Sequence, residues 1–220
     1  MSNKQKNAYI IGAGGQARVI TSLLKKDFSK KYKIIEILSF DNNKFETDNQ
    51  LKLKIKKLNF KEINISKNNH YFLAIGDISK RKKMFKKLIS LGANLPNLIS
   101  KEALIDKTST MGIGNIILSF SKIGPYASIK DNNLINNFAN IEHEVDIDSH
   151  SNFNPGCVVC GRVKANELCL IGANATVLEN LKLKKGTVLG AGSVLLSDTI
   201  TSNQILVGIP AKAKNKWYIF

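Results

Sequence analysis

The chain is poor in the residues from which small functional sites are most often built. Of its 220 residues, three are cysteine and three are histidine. Three cysteines cannot make the paired framework of a small secreted domain, and a chain of this length buries a sufficient core without one. Cys157-Val158-Val159-Cys160 has redox or zinc spacing but no second pair, so core packing is the expected role of the thiols. His143 and His150 stand seven residues apart and His70 lies in the other half of the chain, which leaves no three-histidine set for zinc and no expected metal. No apolar run approaches the roughly 20 residues of a membrane span, and Met1 to Lys6 lead into a strand pattern rather than a signal-peptide core. A cytoplasmic protein without a membrane span is therefore expected. Acidic residues are also few, 17 against 33 Lys and Arg, for a net charge of +16. The excess is concentrated in residues 1–100, which hold 21 basic and 7 acidic residues, against 12 and 10 in the remainder. No Arg and aromatic interleaving accompanies it, which argues against nucleic acid and leaves an anionic membrane, an anionic small substrate, or the compositional drift of a chain rich in Lys, Asn and Ile.

What the chain does have is a repeat. Written in sixes from Ile105, it places an aliphatic residue at nearly every first position through Leu195, and only Phe153 and Ala165 depart from medium aliphatic size. The fifth positions, among them Asn115, Asn133, Cys157, Cys169 and Ala175, are mostly small. A period of six is neither that of a helix nor that of a single strand. It fits short strands joined by corners and stacked as a parallel β-helix, in which residues 18 apart fall in register on a three-sided coil of about five turns. Two domains are expected, 1–100 and 101–220.

The first hundred residues read as a small Rossmann-like α/β unit. Asn7 to Gly12 is a strand, Ala13-Gly14-Gly15-Gln16 a glycine turn, and Val19, Leu23 and Leu24 one face of a helix. Such a turn brings backbone N–H groups and a helix N-terminus to an anion, usually a phosphate; a tight turn that needs positive φ is the competing reading. Tyr32 to Phe40 reads as a second strand ending at Asp41, a short strand is expected near Leu51 to Ile55, and His70 to Gly76 is a third. Asp77 to Leu91 then forms a basic helix with Met84, Leu88 and Leu91 inward, and its Lys80 to Lys83 run reads as a solvated face. A ligand of such a unit sits at the C-terminal ends of the strands.

His143 occupies a third hexad position, which does not face the core, and it is flanked by Glu142 and Glu144. An imidazole so placed suits a general base whose tautomer a carboxylate fixes. A surface histidine in an acidic patch is the competing reading.

Taken in order, Gly12-Ala13-Gly14-Gly15, Ala74-Ile75-Gly76 before a basic helix, Ile141-Glu142-His143-Glu144, Pro155-Gly156, Ile171-Gly172-Ala173, Leu189 to Gly192 and Val207 to Ala211 resemble one family. That family is the sialic acid O-acetyltransferase family of hexapeptide-repeat sugar acyltransferases, and within it the chain resembles the N-acetyltransferases of UDP-4-amino-sugars of the bacillosamine pathway. The resemblance implies a left-handed parallel β-helix behind the N-terminal domain, and a homotrimer with active sites between subunits. It implies acetyl-CoA as acyl donor and a nucleotide-linked amino-sugar as acceptor, in the synthesis of a bacterial surface glycan. By position it makes His143 the catalytic base and Glu144 the residue that raises its basicity. It implicates Asn152, Gly161, Ala173 and Ala191 in acetyl-CoA binding, and Gly14, Gly15, Gln16, Asp41, Asn42, Gly76, Ser79 and Arg81 in binding the nucleotide-sugar. Gln16 and Asn152 stand where the family usually has histidine, and Asn donates a hydrogen bond without carrying a charge. A sugar O-acetyltransferase would use the same residues, and a non-catalytic nucleotide-sugar-binding protein would bind without turnover.

Overall fold

In the computed structural model, residues 5–39, 55–58, 65–66 and 68–214 are described. The chain divides into two compact units, Met1–Pro96 and Asn97–Phe220.

The first unit is built on four parallel strands, β1 (Lys6–Ile11), β2 (Tyr32–Ser39), β3 (Ile55–Lys57) and β4 (His70–Leu73), in the order β3-β2-β1-β4. The Leu51 to Ile55 strand falls mostly outside the described residues, which resume at β3. Ile10 and Ile11 of β1 and Phe72 and Leu73 of the adjacent β4 are buried, as strands covered on both faces require. Helix α1 (Gly15–Phe28) buries Ala17, Ile20, Leu23 and Leu24. Val19 is 39% exposed, one position out of the stripe that Ile20 occupies. Helix α2 (Ile78–Ser90) is capped by Asp77, whose side chain accepts from the Lys80 N–H at 2.8 Å. It buries Arg81, Phe85 and Leu88, while Leu91 is exposed because the helix has already ended and Gly92 turns the chain at φ 74°.

The second unit is a left-handed parallel β-helix. Seventeen two-residue strands, β5 (Leu98–Ile99) to β21 (Val194–Leu195), begin every six residues and stack at intervals of 18 into three parallel sheets. Register is set by like on like: Ile129 pairs with Ile147, Ile135 with Phe153, and Ile171 with Leu189. First and fifth hexad positions from Ile117 to Leu195 fill one continuous core. Corners rather than helices join the strands, so the right-handed preference of helical crossovers does not apply. The last sheet ends in β22 (Ile205–Val207) and the antiparallel β23 (Lys212–Lys214).

Two devices hold the corners. From Gly114 to Gly192 the fourth residue of every hexad has φ between 54° and 71°. Glycine or asparagine fills half of these positions, but Phe120, Tyr126, Phe138, Glu144, His150, Arg162 and Leu168 fill the rest, at about 1 kcal/mol or more apiece. The second device is a ladder of buried side chains. The Asn97 side-chain oxygen accepts from the Asn115 N–H, that of Asn115 from Asn133, that of Asn133 from Ser151, and the Ser151 hydroxyl from Cys169, at 2.7 to 3.0 Å. These bonds satisfy corner amides that the strand ladders cannot reach.

Candidate active site

His143 lies at the corner between β12 (Asn140–Ile141) and β13 (Asp146–Ile147), with its side chain 45% exposed. Its Nδ1 is 3.0 Å from Glu144 Oε2, so a neutral ring bonded through Nδ1–H leaves Nε2 as the basic atom. Glu144 Oε2 also lies 3.1 Å from Nε of Arg162, one coil turn on. Arg162 is absent from the residues read from the sequence, although its offset of 18 from Glu144 is the coil's own register.

The ring is seated by the next turn. A Cβ built on Gly161 would lie 2.5 Å from both Cε1 and Nε2 of His143, so only glycine leaves the imidazole its place. Gly124 does the same for the main chain, since a Cβ there would fall 2.8 Å from the His143 backbone nitrogen. The second flanking carboxylate has another task. Glu142 receives Lys122 Nζ at 2.9 and 3.1 Å and Asn140 Nδ2 at 2.8 Å, and the Lys122 bond, with help from Asn140, holds its carboxyl below the usual range. Glu144 is therefore the carboxylate that holds the His143 ring.

The residues expected at acetyl-CoA do not gather at one corner. Gly161 sits with His143, whereas Ala173 and Ala191 stand one above the other, 18 residues apart, at the corner that follows the sheet of β14 (Asn152–Phe153). That corner is tight: a Cβ on Gly172 would meet the Ala191 nitrogen at 2.4 Å. Asn152 itself is 5% exposed, in β14. The two groups stand at different corners, one before and one after the strands of the sheet that contains β12. Cys157 and Cys169 are buried in the core of the coil and their thiols are pushed up to about 12, while Cys160 is only half-buried.

The first unit holds a cavity of about 620 Å³ at the C-terminal ends of β1 and β4. Gly12, Gly14 and Gly76 line it, with Ser39, Asp77 and, from α2, Lys80, Lys83 and Met84. Gly12, at φ 116°, lets the chain turn within contact of β4, for a Cβ there would meet the Ala74 oxygen at 2.4 Å. Gly14, Gly15 and Gly76 have nothing within 4 Å of where a Cβ would stand, which leaves open space. Helix α1 starts beside it without a side-chain cap or an acid in its first turn, as an anion site requires. Gln16, in the first turn of α1, has a buried Nε2 that meets no partner among the described residues. Ser79 is exposed on α2. Arg81 is 2% exposed and gives its guanidinium to the Ile75 carbonyl at 3.2 Å, with burial pushing its pKa down to about 10. The cations at the cavity are instead Lys80 and Lys83, three apart on the helix that composition alone makes a solvated face. Asp41 and Asn42 lie outside the described residues.

Comparison with known proteins follows the same division. Residues 7–88 match the PglD N-terminal domain family. Over 43 residues, 20% of this chain and 18% of the relative, the sequence is 49% identical to a 2,3,4,5-tetrahydropyridine-2,6-dicarboxylate N-acetyltransferase of Clostridium perfringens. The match therefore spans less than a fifth of that curated relative. The acetyltransferase domain of PglB from Neisseria gonorrhoeae, solved also in complex with acetyl coenzyme A, superposes with a TM-score of 0.86 at 24% identity, over 96% of this chain and 100% of that one. PerB from Caulobacter crescentus, in complex with CoA and GDP-perosamine, superposes at 0.72 with 23% identity, over 95% and 97%. Residues 7–88 thus match the PglD N-terminal domain family, and the chain as a whole shares the fold of these two proteins.

Proposed function

We propose that the protein is an acetyl-CoA-dependent N-acetyltransferase that acts on the amino group of a nucleotide-linked amino-sugar, a precursor of a bacterial surface glycan. The observation that carries this reading is the His143 ring, held by Glu144 through Nδ1 and seated over Gly161 with Nε2 free to take a proton. A base of this kind is what an amine needs to attack a thioester. The cavity beside Gly14 and Lys80 supplies room and positive charge for the nucleotide. The match to the PglD N-terminal domain and the likeness of fold to proteins crystallised with acetyl coenzyme A or with CoA and GDP-perosamine support the same substrates.

In this mechanism the sugar amine attacks the thioester carbonyl while His143 Nε2 removes its proton. A backbone N–H, assigned here to Gly161, receives the developing oxyanion. The tetrahedral intermediate collapses to the amide, and coenzyme A leaves as thiolate and takes the proton from His143. No cysteine acts covalently, and the transfer is direct. Glu144 keeps Nδ1 protonated and so directs the basic nitrogen outward. The separation of His143 from the Ala173 and Ala191 corner supports a homotrimer in which one subunit's base faces a neighbour's acetyl-CoA groove. Both substrates belong to the cytoplasm, where the enzyme is placed. The test is His143→Ala: turnover should fall by about 10² to 10⁴, the usual contribution of a general base, while calorimetric acetyl-CoA binding persists. Turnover near that of the wild type would contradict the reading.

A further inference from the structure

Glu144 Oε2 serves two donors at once, His143 Nδ1 at 3.0 Å and Arg162 Nε at 3.1 Å. Arg162 holds the base at a second point, because its backbone N–H donates to the His143 carbonyl at 3.0 Å. Both Glu144 and Arg162 occupy strained left-handed corners, at φ 57° and 62°. Glycine or asparagine would relieve that strain, as at Asn180 one turn further on, but neither carries a charge.

The electrostatic need is specific. A carboxylate alone against an imidazole favours the imidazolium, which is no base. Besides Glu144, the charged group that acts on the ring is Glu142, already paired with Lys122, and Glu142 and Glu179 both act on the Cys160 thiol beside Gly161. Arg162 is the cation on the base's own carboxylate. Resting on the acetyltransferase reading, we propose that Arg162 is a positioning residue: it fixes the Glu144 carboxylate under Nδ1 and offsets its charge, so that the His143 ring is held with Nε2 ready to accept the amine proton.

The sign of the effect follows. Removing the guanidinium leaves the carboxylate uncompensated, which raises the proton affinity of His143 and moves the acid limb of the rate profile to higher pH. The chain has only three histidines, so NMR titration of histidine-labelled protein, with His143→Ala to assign the signal, reads His143 directly. In Arg162→Gln the His143 signal should titrate at a higher pH than in the wild type. The acid limb of kcat should move with it, and Arg162→Lys should return both toward the wild type. A His143 midpoint that does not move in Arg162→Gln overturns the proposal. So does a variant in which only the KM for acetyl-CoA rises, since Arg162 would then be a ligand contact. The titration needs no substrate, so failure to acetylate any amino-sugar would refute the functional reading while the NMR result decides the role of Arg162.

Discussion

Gly161→Ala adds a single methyl group, and its consequence can be worked out in steps. The backbone accepts alanine, because Gly161 is not among the glycines at positive φ. The new Cβ would stand 2.5 Å from Cε1 and Nε2 of His143. Non-bonded carbons settle about 3.5–4.0 Å apart, so the ring must withdraw by about 1 Å. It can do so cheaply, being the half-exposed end of a flexible side chain. Crowding that costs 1–3 kcal/mol in a closed core should cost about 1 kcal/mol here. The unfolded chain's loss of freedom on replacing glycine offsets roughly 0.4–1 kcal/mol of that. Catalysis has no such escape. A withdrawn ring loses Glu144 and carries Nε2 away from the amine, and a misplacement of about 1 Å costs on the order of 10²-fold in rate. The expected outcome is a thermal midpoint close to that of the wild type, a kcat about 10²-fold lower, approaching His143→Ala, and a nearly unchanged KM for acetyl-CoA. A thiol-detection assay of coenzyme A release, run beside thermal denaturation, measures both. Wild-type turnover in Gly161→Ala would refute the claim that the ring works from its observed seat.

Three further outcomes follow from the same structure. Asn115 is fully buried, with its Oδ1 on the Asn133 N–H and its Nδ2 on the Lys130 carbonyl, each at 2.8 Å. Asn115→Ala leaves both groups without partners and should cost about 2–4 kcal/mol in chemical denaturation, and a change below 1 kcal/mol would sink the ladder argument. Cys160 should react alone with a thiol reagent in the native protein, because the Cys157 and Cys169 thiols are buried and pushed up to about 12; all three should react after denaturation. Native labelling of Cys157 or Cys169 would contradict this. His70 is buried with its Nδ1 2.9 Å from the Tyr32 hydroxyl, and burial, then Lys6 and Lys31, hold its pKa below 6.5. The unfolded chain therefore takes up this proton first as pH falls, so its stabilising contribution is full above 6.5 and lost as pH drops from there through the folded value. Urea denaturation of His70→Gln should show a shallower loss over that range, and an unchanged slope would refute it.

The coil was legible because its physics is periodic. Each first-position aliphatic residue between Ile117 and Leu195 must be inside, and a lattice of 18 brings like residues into register. The ladder was not legible as a ladder. Asn115 and Asn133 pass as small residues at fifth positions, and only the closure of the corner shows that their amides reach the next backbone. Phe120, Tyr126, Glu144 and Arg162 at positive φ break a local rule that stacking overrides, through bonds such as Glu144 N–H to the Pro125 carbonyl at 2.8 Å. The pair of His143 and Glu144 is adjacent in sequence and could be read directly. Arg162 could have been found by adding one turn to Glu144, an arithmetic the repeat makes available. In the first unit the strands and glycine turn were plain, but α2 shows the limit of pattern reading. Arg81 buries its charge against a carbonyl, whereas its neighbours Lys80 and Lys83 reach the cavity, and nothing in a run of four basic residues distinguishes them.

The central claim is tested most directly by offering the enzyme acetyl-CoA with a panel of UDP-, GDP- and dTDP-linked amino-sugars beside free sialic acid. Coenzyme A release would be followed, and the product's mass and lability to hydroxylamine determined, with His143→Ala as control. The account predicts release with a nucleotide-linked amino-sugar, a hydroxylamine-stable acetamide, and loss of both in the variant. Release with free sialic acid alone, giving a labile ester, or silence across the whole panel, would contradict it.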